Sequence, residues 1–266
     1  MKEIIPIFLL FFIFFNNSFS QELYINTEPA SLIPKGSKIV RLINSNIFLE
    51  DTDGLGNTAK LLIPSLSYGI SKKLMVSGSI QFSNDPDADN YPNWDFNGFK
   101  FYSKQRIFSR DKQKFHTRLS SFLKFSYHKD KFMKDNLDID FQDTGFEFGF
   151  LGTQLINKLA VSITSALARY TSENLHLFKN CISFGYLVLP RKYKSYKQTN
   201  FNIYIEYMTN TILNNSFPNR YDQFSSTFAP GIQFILFSRS RLDFSYKIRN
   251  EVSPDELLLK LTYIIY

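Results

Sequence analysis

Residues 115–127, FHTRLSSFLKFSY, constrain this chain more than any other stretch. Every second residue gives Phe115, Thr117, Leu119, Ser121, Leu123, Phe125 and Tyr127 on one side. The alternate set is His116, Arg118, Ser120, Phe122, Lys124 and Ser126. Successive side chains of a strand point to opposite faces, so this is a ribbon with one apolar and one polar face. It is longer than the roughly 5–6 residues usual in soluble domains. It is long enough to cross a bilayer, which takes roughly 9–11 tilted residues. Aromatic residues close both ends of the apolar face, as they do where a barrel wall meets the two membrane interfaces.

The same period of two recurs along the chain. It predicts strands over 36–48, 61–71, 74–83, 97–108, 115–127, 144–155, 159–170, 175–190, 199–208, 224–237, 241–249 and 257–266. Pro64 cannot donate to a ladder and marks a candidate bulge. The connections alternate in character. Those after the even strands are mostly tight (SKK, INK and SRS are the shortest), whereas those after the odd strands are generally longer and rich in Asp and Asn. Outer-membrane barrels pair short periplasmic turns with longer outside loops. A soluble sandwich explains neither this asymmetry nor the recurrence of Phe and Tyr opposite a polar face. The expected fold is therefore all-β: a closed, antiparallel, up-and-down transmembrane barrel of about twelve strands over residues 36–266, with both termini in the periplasm.

The chain opens with Lys2, an apolar run from Ile4 to Phe15, and small residues Ser18 and Ser20 at −3 and −1 of a cut before Gln21. That pattern is a secretory signal peptide over residues 1–20. Residues 21–35, with two prolines and no sustained period, read as a periplasmic segment leading into the wall. Aromatic residues make up 17% of the chain, yet no window after residue 20 holds the ~18 apolar residues of a membrane helix. The formal charge of +7 is spread over the strands rather than clustered, and the chain is exported; both argue against nucleic acid as a partner. The single cysteine, Cys181, excludes an internal disulfide and reads as wall filler.

Assigning the polar faces to the lumen puts Arg41, Lys100, Lys104, Arg106, Arg118, Lys124, Lys247, Arg249 and Lys260 against Glu147, Glu206 and Asp243. The excess is basic, and charges lining a pore set ion preference. Lys100, Lys104, Arg106, Arg118 and Lys124, on neighbouring strands, are the candidate constriction. Glu147, Glu206, Asp243 and Lys247 complete the candidate lumen lining. Small barrels fill with side chains and large porins leave a wide channel, so twelve strands predict a narrow, selective or closed lumen. The function expected is diffusion of small polar or anionic solutes, without cofactor or metal, by a monomer in outer-membrane lipid. A non-conducting barrel whose loops bind a partner is the alternative. An outer-membrane lipid hydrolase is a third reading, but His116, His128 and His176 sit in no nucleophile motif, so the chain is not expected to be an enzyme. Asp85, Asp87, Asp89 and Asp95 fail the spacing of a calcium loop, since Pro86 follows the first and Asn90 replaces the required glycine.

Five stretches carry a family resemblance: INTEPAS (25–31), GISKKLMVSGS (69–79), TQLINKLAVS (153–162), LPRKYKSYKQTNFN (189–202) and APGIQFILFSRSRLDFSY (229–246). Together they resemble a family of exported Bacteroidota proteins predicted to be outer-membrane barrels, mostly without assigned activity. The chain is also loosely similar to transporter-like barrels grouped with phenol-degradation pathways. The resemblance implies an outer-membrane barrel in a Gram-negative bacterium and carries no site residues.

Overall fold

The computed structural model describes residues 24–49, 58–84, 93–112, 115–129, 144–171, 174–190, 198–214, 224–249 and 254–266. The strands are β1 (Lys38–Phe48), β2 (Thr58–Gly69), β3 (Leu74–Asn84), β4 (Asp95–Asp111), β5 (Phe115–His128), β6 (Gly145–Ile156), β7 (Leu159–Tyr170), β8 (Leu175–Leu189), β9 (Asn200–Ile212), β10 (Phe224–Leu236), β11 (Ser240–Arg249) and β12 (Glu256–Ile265). Each pairs antiparallel with its sequence neighbours, and β1 pairs with β12, which closes the barrel. Closure leaves no strand edge unpaired. We call the end carrying the β2–β3, β6–β7 and β10–β11 connections the turn end, and the other the loop end. Both β1 and β12 have their free ends at the turn end.

Alternation decides what each face meets. On β5, Leu119, Leu123 and Tyr127 are exposed on the outer wall while Arg118, Ser120 and Phe122 are buried inside. The outer wall is apolar around its whole girth: Leu123 is 60% and Phe146 61% exposed, and every strand contributes exposed apolar side chains. Monomers dissolved in water rarely expose more than a few hundred Å² of contiguous apolar surface. This wall suits hydrocarbon instead. Aromatics stand near both rims, with Tyr127 and Phe146 towards the loop end and Phe108 and Phe115 towards the turn end.

The strands depart from the sequence reading at a few points. Pro64 does not mark a bulge: Leu42 faces it in register, and the β2–β3 ladder only skips Ile63 and Pro64 before resuming unchanged. A missing N–H removes one rung without inserting a residue. Register shifts occur instead at Gln81/Phe82, Arg106/Phe108 and Leu187/Leu189. Beyond the second of these, β4 continues to Asp111, and β9 runs past Met208 through polar Thr209–Thr211, paired to β10. The expected signal peptide lies outside the described residues.

Candidate functional site

The interior is where the polar faces of all the strands converge, and the N-terminal segment occupies part of it. Residues 21–35 read as a periplasmic segment leading into the wall, yet Tyr24 to Ile33 pack inside the barrel. The segment's backbone and short side chains pair with inward polar groups of the wall, among them Glu206, Lys104 and Arg118.

Three levels follow from the turn end inward. At the mouth, Leu32 and Ile33 join Ile39, Met75 and Ile264 in a buried apolar stopper. The segment leaves this mouth against β2, where Gly36 N–H donates to Gly69 O at 2.8 Å and Gly69 N–H to Ser37 O at 3.1 Å. A Cβ on Gly69 would stand 2.2 Å from Pro34 O, so glycine is required for that close passage. Nearby, Tyr24 packs edge-on against Tyr204, its hydroxyl donating to Ala160 O at 2.6 Å. Burial pushes the Tyr24 phenol above its usual pKa, which keeps it a neutral donor. Tyr204 turns inward over Gly231, where a Cβ would come within 2.3 Å of its ring.

At the second level the segment is gripped by charge. Fully buried Glu206 accepts hydrogen bonds from Asn26 N–H (3.1 Å), Asn26 Nδ2 (2.7 Å) and Thr27 N–H (2.7 Å). Thr27 Oγ1 lies 2.5 Å from Ser183 Oγ and 2.7 Å from Cys181 Sγ. Glu28 pairs with both Arg41 and Lys104 at 3.2 Å, and Lys104 Nζ also donates to Pro29 O at 2.8 Å. Ala30 is held on both sides: its N–H donates to Thr153 Oγ1, and its carbonyl accepts from Ser120. Arg118 donates to Ser31 Oγ at 2.7 Å, and Lys260 Nζ to Tyr24 O at 2.8 Å.

The third level, towards the loop end, is a cavity of about 250 Å³ floored by Ile25, Asn26, Thr27 and Glu28. Its charged lining is Arg41, Lys100, Lys124, Lys179, Lys247 and Lys260 against Glu28, Glu147 and Glu256. Glu147 pairs with Lys124 at 2.6 Å and Lys179 at 3.3 Å. Glu256 pairs with Lys247 at 3.2 Å and with Arg249, and accepts from Ser45.

The expected constriction residues therefore divide. Lys100 and Lys124 line the cavity. Lys104 and Arg118 bind the N-terminal segment instead. Arg106 stands half-buried nearer the turn end, within the field of Arg118 and Asp111. Of the other expected lining residues, Glu147 and Lys247 line the cavity, Glu206 anchors the segment, and Asp243 accepts from Gln233 at 2.6 Å in the turn-end half. Sequence reasoning missed Glu28, Lys179 and Glu256. Glu28 lies in a stretch without periodicity, whereas Lys179 could have been found by carrying the β8 alternation back from Phe184. Among the described residues, no cluster of His, Cys, Asp and Glu has the arrangement of a metal site.

No protein-family profile matches the chain. No curated protein sequence matches it either. Its fold is similar to solved structures of outer-membrane proteins. A crystal structure of an outer membrane channel from Pseudomonas putida F1 superposes with a TM-score of 0.57 at 11% identity, covering 91% of this chain and 100% of that one. The NanC porin gives 0.51 at 9% identity over 84% of this chain and 98% of its own. The KdgM porin gives 0.50 at 8% identity over 86% and 99%. At such identities what is shared is the barrel fold.

Proposed function

We propose that this protein is an outer-membrane channel of a Gram-negative bacterium, through which small polar or anionic solutes diffuse past a basic lumen. The observation that carries this reading is the cavity lining: six cations face three carboxylates in a confined space. Confinement between low-dielectric walls strengthens the attraction of such a surplus for anions. The apolar girth supports embedding in lipid, and the porin-like fold supports the same location. On this reading residues 1–20 are removed at Ser20/Gln21, and the chain belongs to the Bacteroidota barrel family whose stretches it resembles. Lys100 and Lys124 remain the core of the selectivity region, joined by Lys179 and Lys247. Lys104, Arg118 and Glu206 hold the N-terminal segment, which narrows the path.

The test is the reversal potential of the purified protein in planar bilayers under a salt gradient. Lys124→Glu combined with Lys247→Glu is expected to move it towards cation preference. An unchanged potential refutes the selectivity assignment. One observation favours a second reading, a barrel that does not conduct while its segment is in place: Tyr24 to Ile33 fill the turn-end half. Full-length protein without any current, together with current after removal of the segment, would support it.

A further inference from the structure

We infer that the cavity selects amphipathic monoanions, small carboxylates carrying an apolar chain or ring, over inorganic anions and over neutral apolar solutes. The inference refines the channel reading and rests on it for the route of passage.

Two kinds of lining meet on β4 to β8. Tyr102, Phe122, Leu151 and Ala166 form a buried apolar cluster with the segment's Ala30, and the four wall residues also line the cavity. The two rings lie 5.5 Å apart with their planes tilted by 31°. Such a face within a polar barrel interior has no role in passing hydrated inorganic ions, which gain nothing from it. One alternation nearer the loop end stand Lys100 on β4 and Lys124 on β5, and Lys124 faces Tyr102 across the ladder. Lys179 on β8 faces Ala166 and reaches Glu147. Lys124 and Lys179 thus share the one carboxylate of Glu147 at the rim of an apolar patch, with Lys100 also on the cavity wall. Lysine stems extend the apolar surface while their heads stay at the polar rim. A pocket that is largely apolar with a few convergent charges fixes a ligand's orientation. Here the apolar body would lie on Tyr102 and Phe122, with its carboxylate among the rim lysines. Neither acetate nor an alcohol can use both features.

Isothermal titration of the full-length protein in nanodiscs tests this with hexanoate, acetate, sulfate and hexan-1-ol as probes. Hexanoate is expected to bind saturably and at least about tenfold tighter than each of the others, since each buried methylene adds affinity that acetate lacks. Lys124→Gln with Lys179→Gln should weaken hexanoate by about tenfold, one lost charge-assisted contact, and leave hexan-1-ol unchanged. Phe122→Ser should erase the preference for hexanoate over acetate, and Phe122→Leu should keep most of it. If Phe122→Ser fails to fold, the lysine pair and Phe122→Leu decide. Equal binding of hexanoate and acetate, equal binding of hexanoate and hexan-1-ol, or no saturable heat overturns the inference. Current without hexanoate binding sinks this inference and spares the channel; hexanoate binding without current in any state does the reverse.

Discussion

The two halves of the barrel interior are built from the same kind of wall and end up in different states. In the turn-end half, three inward charged groups find partners on the N-terminal segment: Glu206 in Asn26 and Thr27, Lys104 in Glu28 and Pro29, Arg118 in Ser31. In the loop-end half, lysines and carboxylates pair with one another around a space that protein does not fill. What separates them is one short segment. A buried polar group must find a partner; where the segment supplies it the lumen is occupied, and where the wall's own charges pair with one another a space stays open beside them.

Removing residues 24–33 is the largest blow to this contrast. The barrel closes through β1 and β12 without them, so it should still fold, and its single-channel conductance should rise several-fold. Next is Glu206→Gln, which turns one acceptor oxygen into a donor facing donors. Hydrogen bonds to charged groups are worth about 1.5–3 kcal/mol each, so segment release should become at least tenfold more frequent. Cys181, lying under Thr27, reports it: a thiol reagent should modify Cys181 faster in the variant. Gly69→Ala acts through space alone. Its Cβ collides with Pro34 O, so the exit path must shift, raising channel noise and lowering thermal stability less than loss of the Glu206 anchor does. Lys104→Gln is the mildest, because Arg41 still holds Glu28; a small increase in Cys181 labelling is expected.

The outer half of each ribbon was legible in the sequence because lipid-facing and lumen-facing positions differ in polarity at a fixed period of two. Leu119, Leu123 and Tyr127 stand outside as that period requires. The register was less legible. The shift between Arg106 and Phe108 breaks the alternation that marks a strand, and Thr209–Thr211 look like loop yet continue the ladder. The site was legible only as a list of inward charges. Which of them bind the segment and which line the cavity depends on where Tyr24 to Ile33 lie, and an aperiodic stretch with two prolines gives no sign of that. Arg118 and Lys124 are six residues apart on one face of β5, yet one is bonded to Ser31 and the other lines the cavity.

Occupation of the lumen by the N-terminal segment is tested most directly by a cross-link that needs no other thiol. Thr27 Oγ1 lies 2.7 Å from the Sγ of Cys181. In Thr27→Cys protein in membranes, mild oxidation should form an intramolecular bridge to Cys181 and hold any current at its lowest level, with reduction reversing both. Free thiols that persist under oxidation in the folded barrel would contradict the account.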